Sequence, residues 1–219
     1  MADTAIFDVD GTLVDTNYQH TLAWYRAFRR HDLTLPLWRL HRAIGMGGDK
    51  LVAAVAGDDV EKSIGDDLRT AWEREFEAMI DEIRPFDGVR ELLTEVKDRG
   101  FTLVLASSGK GKHVEHFLDL FGGRSLADGW TTSEDAEQSK PAPDLVQVAL
   151  EKAGGTRGVM VGDSTWDVIA AGKAGIETVA VRTGGFSEQE LREAGAVSTH
   201  DSLVDLRRNL DETPLGRAD

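Results

Sequence analysis

The spacing of apolar and polar positions changes several times along the chain. Short apolar runs lie at residues 4–9, 101–106, 158–161 and 178–181, with a weaker one at 129–132. Runs of this length bounded by Gly or polar residues predict buried strands. Between them, apolar residues recur at helical spacing and predict helices over residues 89–99, 112–121, 143–154 and 165–174, the last closed by Gly175. Residues 187–209 supply a helix, a short strand and a final helix. The tail from Glu212, with Pro214 and Gly216, is expected to fray. Residues 36–83 show no strand-like alternation, and the stretch 16–84 reads as helical throughout. It predicts a helix from Thr16 with Leu22, Trp24, Tyr25, Ala27 and Phe28 on its apolar face. A short helix opens at Pro36, and a break follows at Gly45-Met46-Gly47-Gly48. A longer helix runs over 60–83, with Leu68, Trp72, Phe76, Met79 and Ile80 on one face.

Strands alternating with helices predict a parallel sheet wound by right-handed crossovers. The expected fold is α/β, a Rossmann-like three-layer α/β/α core of residues 1–15 and 85–219, with an all-helical domain of residues 16–84 inserted after the first strand. In such sheets ligands bind beyond the carboxyl ends of the strands. Three apolar strands end in Asp8, Ser107 and Asp163. If these strands are neighbours, those side chains converge.

Composition narrows the partners. The formal net charge of -14 excludes a nucleic-acid or anionic-membrane surface, both of which need clustered Lys and Arg. Any bound anion must be held by a local arrangement. Cys is absent, which removes disulfides, thiolate zinc sites and cysteine nucleophiles and fits a cytoplasmic location. The first residues carry no secretory signal pattern, and no apolar run reaches the ~20 residues that span a bilayer.

Asp8 and Asp10 are one residue apart and share a strand face. With Asp163 they make a hard, oxygen-rich cluster suited to Mg²⁺ and not to zinc. A carboxylate can also attack phosphorus. Lys140, in Ser139-Lys140-Pro141-Ala142-Pro143, is kept out of the following helix by Pro141. Its ammonium could offset a nucleophilic carboxylate and a phosphate, or simply be solvated. Ser164 and Asp167, three apart at a helix start, resemble a capping box, and Asp167 could also orient metal-bound water. Ser107 and Ser108 offer hydroxyls and loop amides to phosphate oxygens. Gly109-Lys110-Gly111-Lys112 fails the P-loop spacing, and Gly45-Met46-Gly47-Gly48 misses the dinucleotide fingerprint.

Taken together, these motifs resemble those of the haloacid dehalogenase superfamily, in particular its Mg²⁺-dependent phosphohydrolases with a helical cap. Asp8-Val9-Asp10-Gly11-Thr12 is similar to the first motif, Ser107 to the second, Lys140 to the third, and Gly162-Asp163 with Asp167 to the fourth. The resemblance implies Asp8 as nucleophile and Asp10 as general acid, then base. It implies metal held by Asp8, the backbone carbonyl of Asp10, and Asp163, with Asp167 beside them, and phosphate contacts from Ser107, Ser108 and Lys140. It makes residues 16–84 the cap, with hinges near 14–16 and 84–88. Members that cleave carbon–halogen bonds lack the second acid, so Asp10 points to phosphoryl transfer, whose alkoxide leaving group needs a proton.

The expected activity is hydrolysis of a small phosphorylated metabolite of the phosphoglycolate or sugar-phosphate kind. A β-phosphoglucomutase-like phosphomutase is the alternative. His20 favours it, whereas the lack of an Arg after the glycine break disfavours it. A non-catalytic phosphoacceptor is the alternative from another class. Candidates for substrate contact on the helical insertion are His20, Trp24, Met46, Gly47, Lys50 and Trp72.

Overall fold

A computed structural model of the chain describes residues 3–155 and 157–216. The backbone forms two compact units, one of Met1–Asp15 with Arg84–Asp219 and one of Thr16–Ile83. Strand β1 (Thr4–Asp8) is followed by α1 (Asn17–Arg30), α2 (Leu37–His41), α3 (Gly48–Ala56) and α4 (Asp58–Glu77), which build the second unit. The chain then continues through α5 (Val89–Asp98), β2 (Thr102–Ala106), α6 (Gly111–Phe121), α7 (Gly123–Leu126), β3 (Gly129–Thr131) and α8 (Asp144–Ala153). It ends with β4 (Gly158–Gly162), α9 (Thr165–Lys173), β5 (Glu177–Val181), α10 (Glu188–Ala194), β6 (Ser198–His200) and α11 (Leu203–Arg208). Among the described residues no helix is long and apolar enough to cross a membrane.

In the first unit all six strands are parallel, in the order β3-β2-β1-β4-β5-β6. The sequence runs outward one way from β1 and then outward the other way from β4. The strand order therefore reverses between β1 and β4, the place where open α/β sheets bind ligands. Right-handed crossovers in opposite directions put α5 and α6 on one face and α8, α9 and α10 on the other. Ile6 lies in register with Val104 on β2 and Met160 on β4. These three pack under Leu145, Val146 and Ala149 of α8 and Ala170 and Ala171 of α9. β1 and β4 are buried along their whole length, which is why they read as unbroken apolar runs.

The second unit is helical, with α1 packed along α4 and α3 against α4. Its core includes Trp24, Phe28, Leu40, Leu51, Val52 and Leu68. Two sequence expectations change here. Leu22 is 37% exposed, because the buried face of α1 follows Asn17, Thr21, Trp24 and Phe28. Thr21 can be buried there because its hydroxyl donates to the Asn17 carbonyl at 2.7 Å. Trp24, expected to meet substrate, is instead a core residue, 3% exposed.

The tail expectation also changes as far as residue 216. Leu215 is fully buried, and Arg99 Nη1 donates to the Gly216 carbonyl at 2.7 Å and to Asp211 Oδ1 at 2.5 Å. Pro214 and Gly216 therefore shape a docked turn. Residues 217–219 lie outside the described residues. Leu215→Ala should destabilise the protein by about 2–4 kcal/mol, the cost of emptying a buried leucine site. Chemical denaturation reads this as a lowered midpoint, and an unchanged midpoint would mean that the tail contributes no packing.

Candidate active site

The site lies at the carboxyl ends of β1, β2 and β4, which are adjacent in the sheet. β1 delivers Asp8 as its last residue, buried at 3% exposure. The chain then turns tightly. Gly11 has φ +78°, a conformation that disfavours any side chain. The Gly11 amide donates to the Val14 carbonyl at 2.9 Å, and the Leu13 and Val14 amides donate to the Val9 carbonyl at 2.9 and 3.1 Å. This turn brings the buried Thr12 back over the strand end. Its hydroxyl donates to Asp163 Oδ1 at 2.9 Å and approaches Asp8 Oδ2 at 3.3 Å. Thr12 thus joins the acids of β1 and of the β4 end.

Asp10 is half-buried and is held from β2. Ser107 Oγ, fully buried, donates to Asp10 Oδ2 at 2.8 Å and accepts the Gly109 amide at 2.9 Å. A Cβ on residue 109 would come within 3.0 Å of Ser107 Oγ, so glycine permits this close turn. The Ser107 hydroxyl, expected on phosphate, therefore fixes a carboxylate. Ser108 is half-buried in the turn between β2 and α6.

Lys140 is 2% exposed. Its ammonium bonds Asp8 Oδ1 and lies 2.6 Å from Asp167 Oδ1. The elbow that carries it is tied to α9 at both ends of that helix. Asp167 in the first turn meets the ammonium, and Lys173 in the last turn donates to the Pro141 carbonyl at 2.8 Å. Asp167 does two jobs. Its Oδ2 accepts from the Ser164 hydroxyl at 2.6 Å and the Ser164 amide at 3.1 Å, completing the capping box. Gly162 leaves room for it, since a Cβ there would stand 2.5 Å from Asp167 Cβ.

Burial pushes the Asp8 carboxyl well above the usual carboxylate range. The Lys140 ammonium pulls it back, and Asp167, Asp163 and Asp10 push it up again. For Lys140, burial works against the charge, but the Asp167 and Asp8 carboxylates outweigh it and hold the ammonium protonated.

Asp8, Asp163 and Asp167 each offer an oxygen within 4.8 Å of the others, all three buried. Counting half-buried Asp10, four carboxylates gather near one ammonium, which itself contacts Asp8 and Asp167. Hard oxygen donors with a charge excess of this kind fit Mg²⁺, and no soft or imidazole ligand stands among these four residues. Asp167 is already engaged at both oxygens, by the Ser164 hydroxyl and amide and by the Lys140 ammonium.

His20, Gly47 and Lys50 belong to the second unit. The His20 ring stacks on Phe76 at 4.0 Å between centroids and 8° between planes, with Trp72 at 5.6 Å. Gly47 is the extended residue before α3, and Lys50 is exposed, with Nζ 4.0 Å from Asp49 Oδ2. Sequence reasoning did not single out Thr12, Gly109, Lys173 or Thr183. Thr12 lay inside the first motif and Gly109 two residues from Ser107, while Lys173 and Thr183 act through contacts to Pro141 and Gly11 that no local pattern encodes.

The haloacid dehalogenase-like hydrolase family model matches residues 5–181. The chain is 30% identical over 206 residues to a probable phosphatase, IndB, of Dickeya dadantii, covering 89% of this chain and 87% of that one. It is 32% identical over 187 residues to the pyrophosphatase PpaX of Bacillus velezensis, covering 80% and 81%. A crystal structure of a hydrolase from Pseudomonas syringae superposes with a TM-score of 0.89 at 29% identity, over 95% of this chain and 98% of that one. With that match over most of its length, and a strand-end cluster of acids around one lysine, the chain belongs to the haloacid dehalogenase-like hydrolases.

Proposed function

We propose that this hydrolase is a Mg²⁺-dependent phosphatase of small phosphate monoesters, of the phosphoglycolate or sugar-phosphate kind, acting through a phosphorylated Asp8. The observation that carries the reading is the contrast between two neighbouring carboxylates. Asp8 is buried against the Lys140 ammonium, whereas Asp10 is half-buried and held by the Ser107 hydroxyl. Two acids with opposite surroundings suit two roles.

In the first step an Asp8 oxygen attacks phosphorus. The phosphorus–ester oxygen bond breaks, and the departing alkoxide takes the proton carried by Asp10. In the second step Asp10, now ionised, takes a proton from water. The resulting hydroxide attacks phosphorus, and the phosphorus–Asp8 oxygen bond breaks to give inorganic phosphate and the original carboxylate. Lys140 balances charge on Asp8 and on the transferring group, and Asp167 holds Lys140 in place. Thr12 keeps the Asp8 and Asp163 carboxylates side by side. When bound, Mg²⁺ would be held by Asp8 and Asp163, with the Asp10 carbonyl as the family resemblance implies, and would supply charge neutralisation at the phosphoryl oxygens.

The relatives' names support hydrolysis over transfer between hydroxyls, and PpaX places pyrophosphate on the list of compounds to test. We read the Thr16–Ile83 unit as the family's cap, with His20, Gly47 and Lys50 as its candidate specificity residues. Asp8 and Asp10 would then be shared chemistry, and these residues would select the ester.

Hydrolysis of an aryl phosphate should require Mg²⁺ and stop on chelation, and Asp8→Asn should abolish it. Turnover that persists without metal would contradict the reading. Conversion of β-glucose 1-phosphate to the 6-phosphate faster than its hydrolysis would move it to the phosphomutase. A stable phosphoprotein with no turnover would move it to a phosphoacceptor. Lys140→Met should leave the buried carboxylates without their ammonium. That should destabilise the fold by about 3–5 kcal/mol and remove activity, as for other buried pairs that lose one partner. Thermal unfolding alongside the phosphate assay checks both, and full activity in this variant would remove Lys140 from the mechanism.

A further inference from the structure

Thr183 lies in the short 3-10 turn Arg182–Gly184 that follows β5. Its hydroxyl donates to the backbone carbonyl of Gly11 at 2.6 Å, across 172 residues of sequence. Gly11 separates Asp10 from Thr12, and its carbonyl shares a peptide plane with the Thr12 amide. The bonds within this turn, from Gly11, Leu13 and Val14, fix its shape. They do not fix its direction relative to the sheet. The Thr183 bond ties the turn to the end of β5, beside the ties of Thr12 to Asp163 and of Asp10 to Ser107.

The anchor is flanked by an exposed ion pair on one side and a buried ring on the other. Arg182 Nη1 pairs with Asp201 Oδ1 at 2.6 Å on one side of Thr183. On the other side Phe186 is buried with Val168, Ala180 and Leu191. Released from Thr183, the Gly11 peptide would depend on its two flanks, Asp10 and Thr12, for its position over the sheet. The two flanks of Gly11 would respond unequally. Thr12 is buried and tied to Asp163 by its own hydroxyl. Asp10, tied through Ser107, is only half-buried and so has the more room to move.

We infer that Thr183 is a positioning residue for the acid–base carboxylate, acting through the Gly11 carbonyl to set the direction in which Asp10 leaves the turn. This rests on the reading of Asp10 as the proton donor to the leaving group. A mispositioned donor should harm esters with poor leaving groups most. A hydroxyl that merely closed a loop would change stability, or affect all substrates alike.

The experiment compares an alkyl phosphate with p-nitrophenyl phosphate, whose leaving group departs without a proton. Thr183→Val should lower kcat/KM, which reads the first step alone, about tenfold on the alkyl ester and less than about threefold on the aryl ester. Thr183→Ala should repeat the pattern, and Thr183→Ser, which keeps the hydroxyl, should restore the alkyl rate. Thermal unfolding shows whether each variant is folded. Equal losses of kcat/KM on both esters, unchanged rates, or no rescue by serine would overturn the inference. Asp10→Asn, run in parallel, separates it from its premise. If that variant shows no preference for the aryl ester in kcat/KM, the assignment of Asp10 fails, and this inference with it. If Asp10→Asn discriminates and Thr183→Val does not, only the role of Thr183 fails.

Discussion

A lysine ammonium buried at 2% exposure among carboxylates sets the terms for the site. Removing an ion from water costs several kcal/mol even after relaxation, so Lys140 is tolerable only with close partners. Asp8 and Asp167 supply them. Their arrangement then requires the rest. Asp167 must reach Lys140 while capping α9, so residue 162 must be glycine. Asp8 must stay at the strand end beside Asp163, so Thr12 must fold back across both. The carboxylates still outnumber the ammonium, and the excess charge suits a divalent cation and a substrate that arrives with it.

The sheet makes this cluster possible at little local cost. Because β2, β1 and β4 are neighbours, residues far apart in sequence end at one rim without any long loop folding inward. The reversal of strand order between β1 and β4 opens the rim there. α9 leaves β4 at this point and returns Asp167, while its far end steadies the Lys140 elbow through Lys173. The scaffold thus holds each charged group by at least one bond to a different element, which is what preorganised electrostatic catalysis needs.

Much of this could be read from residues alone, for a physical reason. Strands buried on both faces show as unbroken apolar runs, and helices between them carry a 3.6-residue period, so the α/β class and the order of elements were legible. Asp8, Asp10, Ser107, Lys140 and Asp163 stood out because polar residues at strand ends and on stiff elbows break the local pattern. Partnerships did not stand out. The pairing of Ser107 with Asp10, Thr12 with Asp163 and Thr183 with Gly11 depends on tertiary distance. Leu22 misled for a related reason. On a small helical unit several faces are apolar enough, and neighbouring helices decide which is buried. The docked tail was hidden because Pro214 and Gly216 read as breakers, while Leu215 between them is anchored by contacts made elsewhere.

The claim on which the account turns is that phosphorus is transferred to Asp8. Reductive trapping during turnover tests it directly, since borohydride reduces an acyl phosphate but leaves a free carboxylate untouched. Peptide mass spectrometry should find homoserine at position 8 only when substrate and Mg²⁺ are both present. Sustained turnover with Asp8 unmodified, or trapping at another carboxylate, would contradict the account.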